Sequence, residues 1–208
     1  MKKQLTLALG ALMMLAGMQQ AVAQQAYESN EMLGKELRPA VSIVVNGDKK
    51  VTQQALNGWL KQEGVPVSGG KVAKAASTTF GGVSTQYVNV FATVETMDKK
   101  LLSQKVSIFL STGAGEDATF MTSADHATEM GNLKQLLETK YVEYHANFVK
   151  ETNIANQASE IAASQKKLKS LEKELDRLNS SVEKTKSLIE KQQKTIAQQE
   201  AALKALKN

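Results

Sequence analysis

The chain has 208 residues, 42% of them hydrophobic and 23% charged, no cysteine, and a formal net charge of +5. Without cysteine there is neither disulfide stapling nor a thiol nucleophile, so stability has to come from packing alone. The positive balance is no sign of nucleic-acid binding, because the excess sits in a tail whose lysines alternate with glutamates and which lacks aromatic residues for stacking.

Met1-Lys2-Lys3, the apolar run from Leu5 to Met18, and Ala21-Val22-Ala23 before Gln24 predict a cleavable Sec signal peptide over residues 1–23. The run falls short of the roughly 20 apolar residues of a membrane span, and no cysteine follows it to carry a lipid anchor. The expected mature chain begins at Gln24, is exported to the periplasm or beyond, and has no transmembrane span. All 13 glycines, both prolines and the single Trp lie at or before Gly131. Such a split predicts two unlike halves, a globular one and a helical one.

Residues 24–37 read as a flexible polar lead-in with little to bury. From Pro39, the β-branched run at 40–46 ends at Asn46-Gly47, a strand followed by a turn. Thr52 then caps a helix with Ala55, Leu56, Trp59 and Leu60 at helical spacing, ending near Gly64. Residues 71–80 form a strand closed by Gly81-Gly82. In the next strand, 87–95, Val88, Val90, Ala92 and Val94 share one face, and Tyr87, Asn89, Phe91 and Thr93 the other. A polar connection from Thr96 to Gln104, with room for one helical turn through Leu101 and Leu102, leads to a strand at 105–111. This order predicts an α+β fold over 38–122: a small antiparallel sheet with one packed helix.

Over 123–152 a connecting helix is expected to lie on the sheet through Leu133, Leu136, Leu137, Tyr141, Tyr144 and Phe148. Thr122 or Ser123 is its expected cap, with Asp125 in the first turn. Gly131 marks a bend or the true start, since glycine costs about 1 kcal/mol inside a helix.

Residues 153–208 read as a coiled-coil helix. With Ile154 at position a, the a series is Ile154, Ile161, Leu168, Leu175, Val182, Ile189, Ile196 and Leu203, eight apolar residues at strict seven-residue spacing. A straight α-helix repeats every 3.6 residues, so such a stripe stays on one face only if helices supercoil around each other. The d series, Gln157, Ser164, Leu171, Leu178, Thr185, Gln192, Gln199 and Leu206, is mixed, and the seam is tightest from Leu168 to Val182. Parallel pairing sets Lys167 of one helix against Glu172 of the next, and no such pair brings like charges together. Glu190–Lys194 and Glu200–Lys204 are candidate i,i+4 pairs. Dimers and trimers both remain open.

The same chain offers few residue patterns that could carry chemistry. Gly113-Ala-Gly115-Glu-Asp-Ala118 fits the dinucleotide string, but Glu116 and Asp117 would stand beside the phosphates and no later strand completes a βαβ unit. His126 and His145 lie 19 residues apart without cysteine, which is not a zinc ligand set. Glu116, Asp117, Asp125 and Glu129 lack the alternating acidic loop of a calcium site. There is no nucleophile elbow, and any Ser-His-Asp grouping would need His126 or His145 from the helix. Paired carboxylates on separate strands leave no local signature, yet the domain is small for a cleft. The expectation is no enzyme, no metal and no cofactor.

Trp59-LKQEG, Gly69-Gly-Lys71, Val88-NVFATVE and Thr122-SADH, followed by a helix that becomes a Glu/Lys coil, resemble a layout in uncharacterised exported proteins of Bacteroidetes-type bacteria. The resemblance implies a periplasmic location and a two-part architecture, and carries over no functional residues. The leading expectation is a non-enzymatic envelope protein, self-associating or pairing with a partner helix through its coil. Its α+β domain would then meet another envelope protein or a cell-wall element, through the sheet face bearing Tyr87 and Phe91. A Skp-like holdase and a coiled-coil regulator of a cell-wall enzyme are the alternatives.

Overall fold

Runs in which Val and Ile alternate with polar residues bury one face of each strand, and here they assemble into one antiparallel sheet. The structure is a computed structural model that describes residues 24–113 and 118–206. Residues 1–23, where a signal peptide is expected, residues 114–117, which include Glu116 and Asp117, residues 207–208 and the side chains of Ala205 and Leu206 lie outside the described residues. In chain order the elements are β1 (Tyr27–Leu33), β2 (Glu36–Asn46), α1 (Lys49–Gln62), β3 (Val72–Phe80), β4 (Ser84–Asp98), β5 (Ser103–Thr112), β6 (Thr119–Phe120), α2 (Ala127–Leu136), a π-helical turn (Leu137–Tyr141) and α3 (Val142–Leu206). Two units divide between Thr152 and Asn153. The first has the expected α+β fold, and the second is the remainder of α3.

The strand order is β1-β2-β5-β4-β3, every pairing antiparallel. β6 pairs with β5 at Ser111–Phe120 and Thr112–Thr119, past the Val41–Ile108 pair where β2 leaves that edge. Val41, Ile43, Val45, Val88, Val90, Val106, Ile108 and Leu110 turn one face inward, where Leu56, Trp59 and Leu60 of α1 meet Met130, Leu133, Leu137 and Tyr141. Trp59 is the centre: its ring lies 5.1 Å from Tyr141 and 6.1 Å, edge-on, from Phe80. Burying an aromatic of this size is one of the largest single contributions to a small core.

The lead-in reading of residues 24–37 is overturned. β1 pairs with β2 along its whole length, from Tyr27–Ser42 to Leu33–Glu36, through a turn in which Gly34 supplies a positive φ of 72°. What anchors β1 is polar rather than apolar. The Ala26 N–H donates to Glu138 at 2.8 Å, and Glu28 meets Lys134 at 2.5 Å and the Ser123 hydroxyl. Lys134, followed by Ser123, holds the Glu28 carboxyl below its usual range. Glu31 reaches across β2 to pair with Lys105, which also faces Glu95 at 3.4 Å. Burial works against the Lys105 charge, but Glu31 and Glu95 outweigh it and raise its pKa.

Other boundaries move for local reasons. Asp48, not Thr52, caps α1, its carboxylate accepting the Lys50 and Val51 N–H groups. α2 starts at Ala127 rather than 123, because Asp125 and His126 close a turn on the Thr122 carbonyl. Gly131 lies inside α2. The irregularity comes later, at the π-helical turn. Leu133, Leu137, Tyr141 and His145 are all buried at spacing four, a stripe that an α-helix would rotate by about 40° per step. One wide turn returns it to the core. The connection after β4 is only four residues long, since both strands extend past their apolar centres and a bulge intervenes between Thr96 and Asp98.

Lys105→Met would leave the half-buried Glu31 without its cation, so the domain should lose about 1–2 kcal/mol in urea unfolding, between the cost of breaking a surface pair and that of breaking a buried one. A loss under about 0.5 kcal/mol, as for surface pairs, would show that β1 is held by its backbone ladder alone.

Candidate functional site

α3 runs 65 residues, from Val142 to Leu206, without proline or glycine to interrupt it. Every described side chain from 153 to 204 is exposed in the single chain. Ile154, Ile161, Leu168, Leu175, Val182, Ile189, Ile196 and Leu203 are each 45–58% exposed, and Leu171 and Leu178 at the d positions are 52% and 58% exposed. Leu206 ends the helix. Covering the exposed half of ten such side chains would contribute roughly 1 kcal/mol each, on the order of 10 kcal/mol per helix. That is enough to offset the several kcal/mol lost when two chains associate.

Hydroxyls on this helix sharpen the seam in a way residue type conceals. Thr185 donates to the Ser181 carbonyl at 3.0 Å, so its polar atom is spent on the backbone one turn earlier and its methyl remains for the d position. The continuous part of the seam therefore runs on to Ile189. Ser180 and Thr195 bond their own helix in the same way, to Asp176 and Lys191. Among the described residues beyond 152, Lys186 and Glu183 form the ion pair, at 2.7 Å. Glu190–Lys194 and Glu200–Lys204, expected as i,i+4 pairs, are not joined.

A shallow cleft of about 260 Å³ lies between α1 and the start of α3, lined by Trp59, Gln62, Glu63, Lys140, Glu143, Tyr144 and Asn147. Lys140 and Glu63 span it at 3.4 Å. The helices approach closely here: a Cβ on Gly58 would stand 2.5 Å from the Tyr144 hydroxyl. Below the cleft the Trp59 indole N–H and the Tyr141 hydroxyl have no hydrogen-bond partner among the described residues. Burial pushes the Tyr141 hydroxyl far above its ordinary pKa, so it stays protonated. A permanently neutral phenol and a Lys–Glu pair do not make a proton-transfer site.

The histidines are separated in role. His126 caps α2 without a side-chain hydrogen bond. His145 is buried, its Nε2 3.2 Å from the Thr52 hydroxyl, and no carboxylate hydrogen-bonds either ring among the described residues. On the sheet's outer face Ser42 and Ser107 bond at 2.8 Å and Asn89 reaches Ser111 at 3.3 Å. Phe91, named as a binding residue with Tyr87, is instead half-buried beside Phe120 at 5.9 Å, with the Arg38 guanidinium 4.9 Å from that second ring. β6, too short to signal itself in the sequence, creates this cover. Tyr87 stays 71% exposed.

The loop after Gly113 leads into β6, a strand absent from the sequence reading. β6 runs antiparallel to β5, so it does not complete a βαβ nucleotide unit. No group of three or more metal-ligating side chains occurs among the described residues, and no helix among them is long and apolar enough to cross a membrane. Compared with protein-family models, curated proteins and solved structures, the chain matches none.

Burial lowers the His145 pKa to about 4, against 6.5 in the open chain. The unfolded state thus takes up this proton first as pH falls. The stabilisation is complete above pH 6.5, drains through the interval, and is gone near pH 4, in total roughly 3 kcal/mol. Between pH 7.5 and 4 the wild type should therefore lose more unfolding free energy than His145→Gln, by roughly 3 kcal/mol. Parallel pH curves would contradict a buried neutral imidazole.

Proposed function

We propose that this is a non-enzymatic, exported envelope protein whose C-terminal helix pairs with a second copy of itself. The pairing is a parallel coiled coil, and the α+β unit is the part offered to other envelope components. The observation that carries the proposal is the unbroken a series from Ile154 to Leu203, about half exposed at every position in the single chain. An isolated helix gains nothing from a strict seven-residue register, whereas a supercoiled pair needs it. Parallel pairing is favoured by Lys167 facing Glu172 and by the lack of like-charge partners along the flanks. Polar Gln and Ser at the outer d positions leave the ends looser than the segment from Leu168 to Ile189.

The secretory reading of residues 1–23 supports a location outside the cytoplasm. A structural or adaptor role is favoured over catalysis by what the globular unit offers: a shallow cleft, a neutral phenol, and a buried His145 bonded to the Thr52 hydroxyl rather than to a carboxylate.

Light scattering on the chain beginning at Gln24 should return two or three times the monomer mass. The same chain ending at Thr152, or carrying Leu171→Asp with Leu178→Asp, should return the monomer mass. A monomer for the intact chain at high concentration would remove the proposal.

A further inference from the structure

The end of β4 and the turn that leads into β5 carry an unexplained concentration of exposed apolar surface. Met97 is 58% exposed, Leu101 72% and Leu102 53%, although the turn belongs to the unit whose apolar residues are otherwise mostly buried. It is also held in an unfavourable shape. Leu102 adopts a φ of +50°, a left-handed conformation that β-carbon sterics penalise and that glycine would adopt freely. The strain is maintained by specific bonds: Asp98 accepts the Lys100 N–H at 2.7 Å and the Leu101 N–H at 3.1 Å. The Leu102 carbonyl accepts the Gly47 N–H at 2.7 Å.

That last bond brings the start of α1 to the same end of the sheet, as does the register Asn46–Ser103–Asp98. Lys49, Lys50, Lys99 and Lys100 are all exposed there. Their acidic neighbours are engaged, Asp48 capping α1 and Asp98 closing the turn through backbone N–H groups. None of the four lysines has an ion-pair partner among the described residues. The rim thus combines a strained apolar tip with a surplus of positive charge.

We propose that this tip docks on an anionic phospholipid surface, with Met97, Leu101 and Leu102 entering the headgroup–acyl boundary and the four lysines meeting lipid phosphates. The tip of a tight turn offers no concavity for a partner's side chain, whereas a fluid interface closes around it. Lysines beside apolar side chains match the two attractions that hold peripheral proteins to acidic membranes, apolar insertion and surface potential. The contact is peripheral and reversible, and it is independent of whether the C-terminal helix self-associates.

The test is flotation of the chain beginning at Gln24 with phosphatidylcholine vesicles, with and without phosphatidylglycerol, at low and high salt. Wild type should float with the anionic vesicles at low salt and not with the neutral ones. Leu101→Ser with Leu102→Gly should weaken partitioning roughly tenfold or more, the effect of withdrawing one or two leucines from an apolar medium. Lys99→Gln with Lys100→Gln should weaken it about twentyfold at low salt, near fivefold per lysine. Leu102→Gly alone relieves the backbone strain and should melt no lower than wild type, which separates loss of binding from loss of folding. Equal binding to both vesicle types, no binding at low salt, or binding that survives both double variants would overturn the proposal. Capture of an acidic protein surface without flotation would overturn it too, assigning the tip to a protein partner.

Discussion

Side chains seven residues apart on a helix that turns every 3.6 residues slip by about 20° per heptad, so eight apolar ones stay on one face only if the helix bends around something. In this protein that something cannot come from the segment itself, since every described residue from 153 to 204 is exposed in the single chain. The same segment has no glycine, proline or aromatic residue, so nothing in it breaks the helix or offers another mode of packing. The proposal of a neighbouring helix rests on spacing more than on hydrophobicity, because the d positions contribute little outside the centre. Thr185 shows how fine the balance is. By returning its hydroxyl to Ser181 it presents a methyl where residue type suggests a polar group.

The globular unit solves a different problem, that of a small sheet with too few apolar residues to cover both faces. Its inner face is sealed by Trp59, Tyr141 and the helical stripe from Leu133. The outer face and the β1 edge are sealed by polar contacts instead, the Ser42–Ser107 pair and Lys105 held between Glu31 and Glu95. Such contacts cost much when half-made and little when complete. β1 is consequently tied at both ends, to Glu138 through Ala26 and to Lys105 through Glu31.

The central strands and α1 were legible because alternation and 3.6-residue recurrence are imposed by burial of one face, and the long C-terminal helix because no glycine or proline interrupts its sequence. β1 was not, since Tyr27-ESNEM-Leu33 holds Ser29 and Glu31 half-buried on the outer face of the sheet, where they look like solvated residues until their partners are known. β6 is two residues long, below the reach of any periodicity. The π-helical turn was foreshadowed only by the spacing of four that links Leu133, Leu137, Tyr141 and His145. Helix starts went astray where two cap residues competed: Asp48 precedes Thr52, and the hydroxyl of Thr52 is occupied with His145. The strain at Leu102 has no sequence signal, because a leucine there reads as part of a short helical turn.

A chain without cysteine makes a single introduced thiol an unambiguous reporter of proximity. With Leu175→Cys, oxidation should link two copies rapidly and nearly completely, because equivalent a positions face each other across a parallel pair. Lys173→Cys, on the outer surface of the same turn, should link slowly. Crosslinking no faster at 175 than at 173 would mean that the seam faces water, and that the C-terminal helix has no copy of itself to lean on.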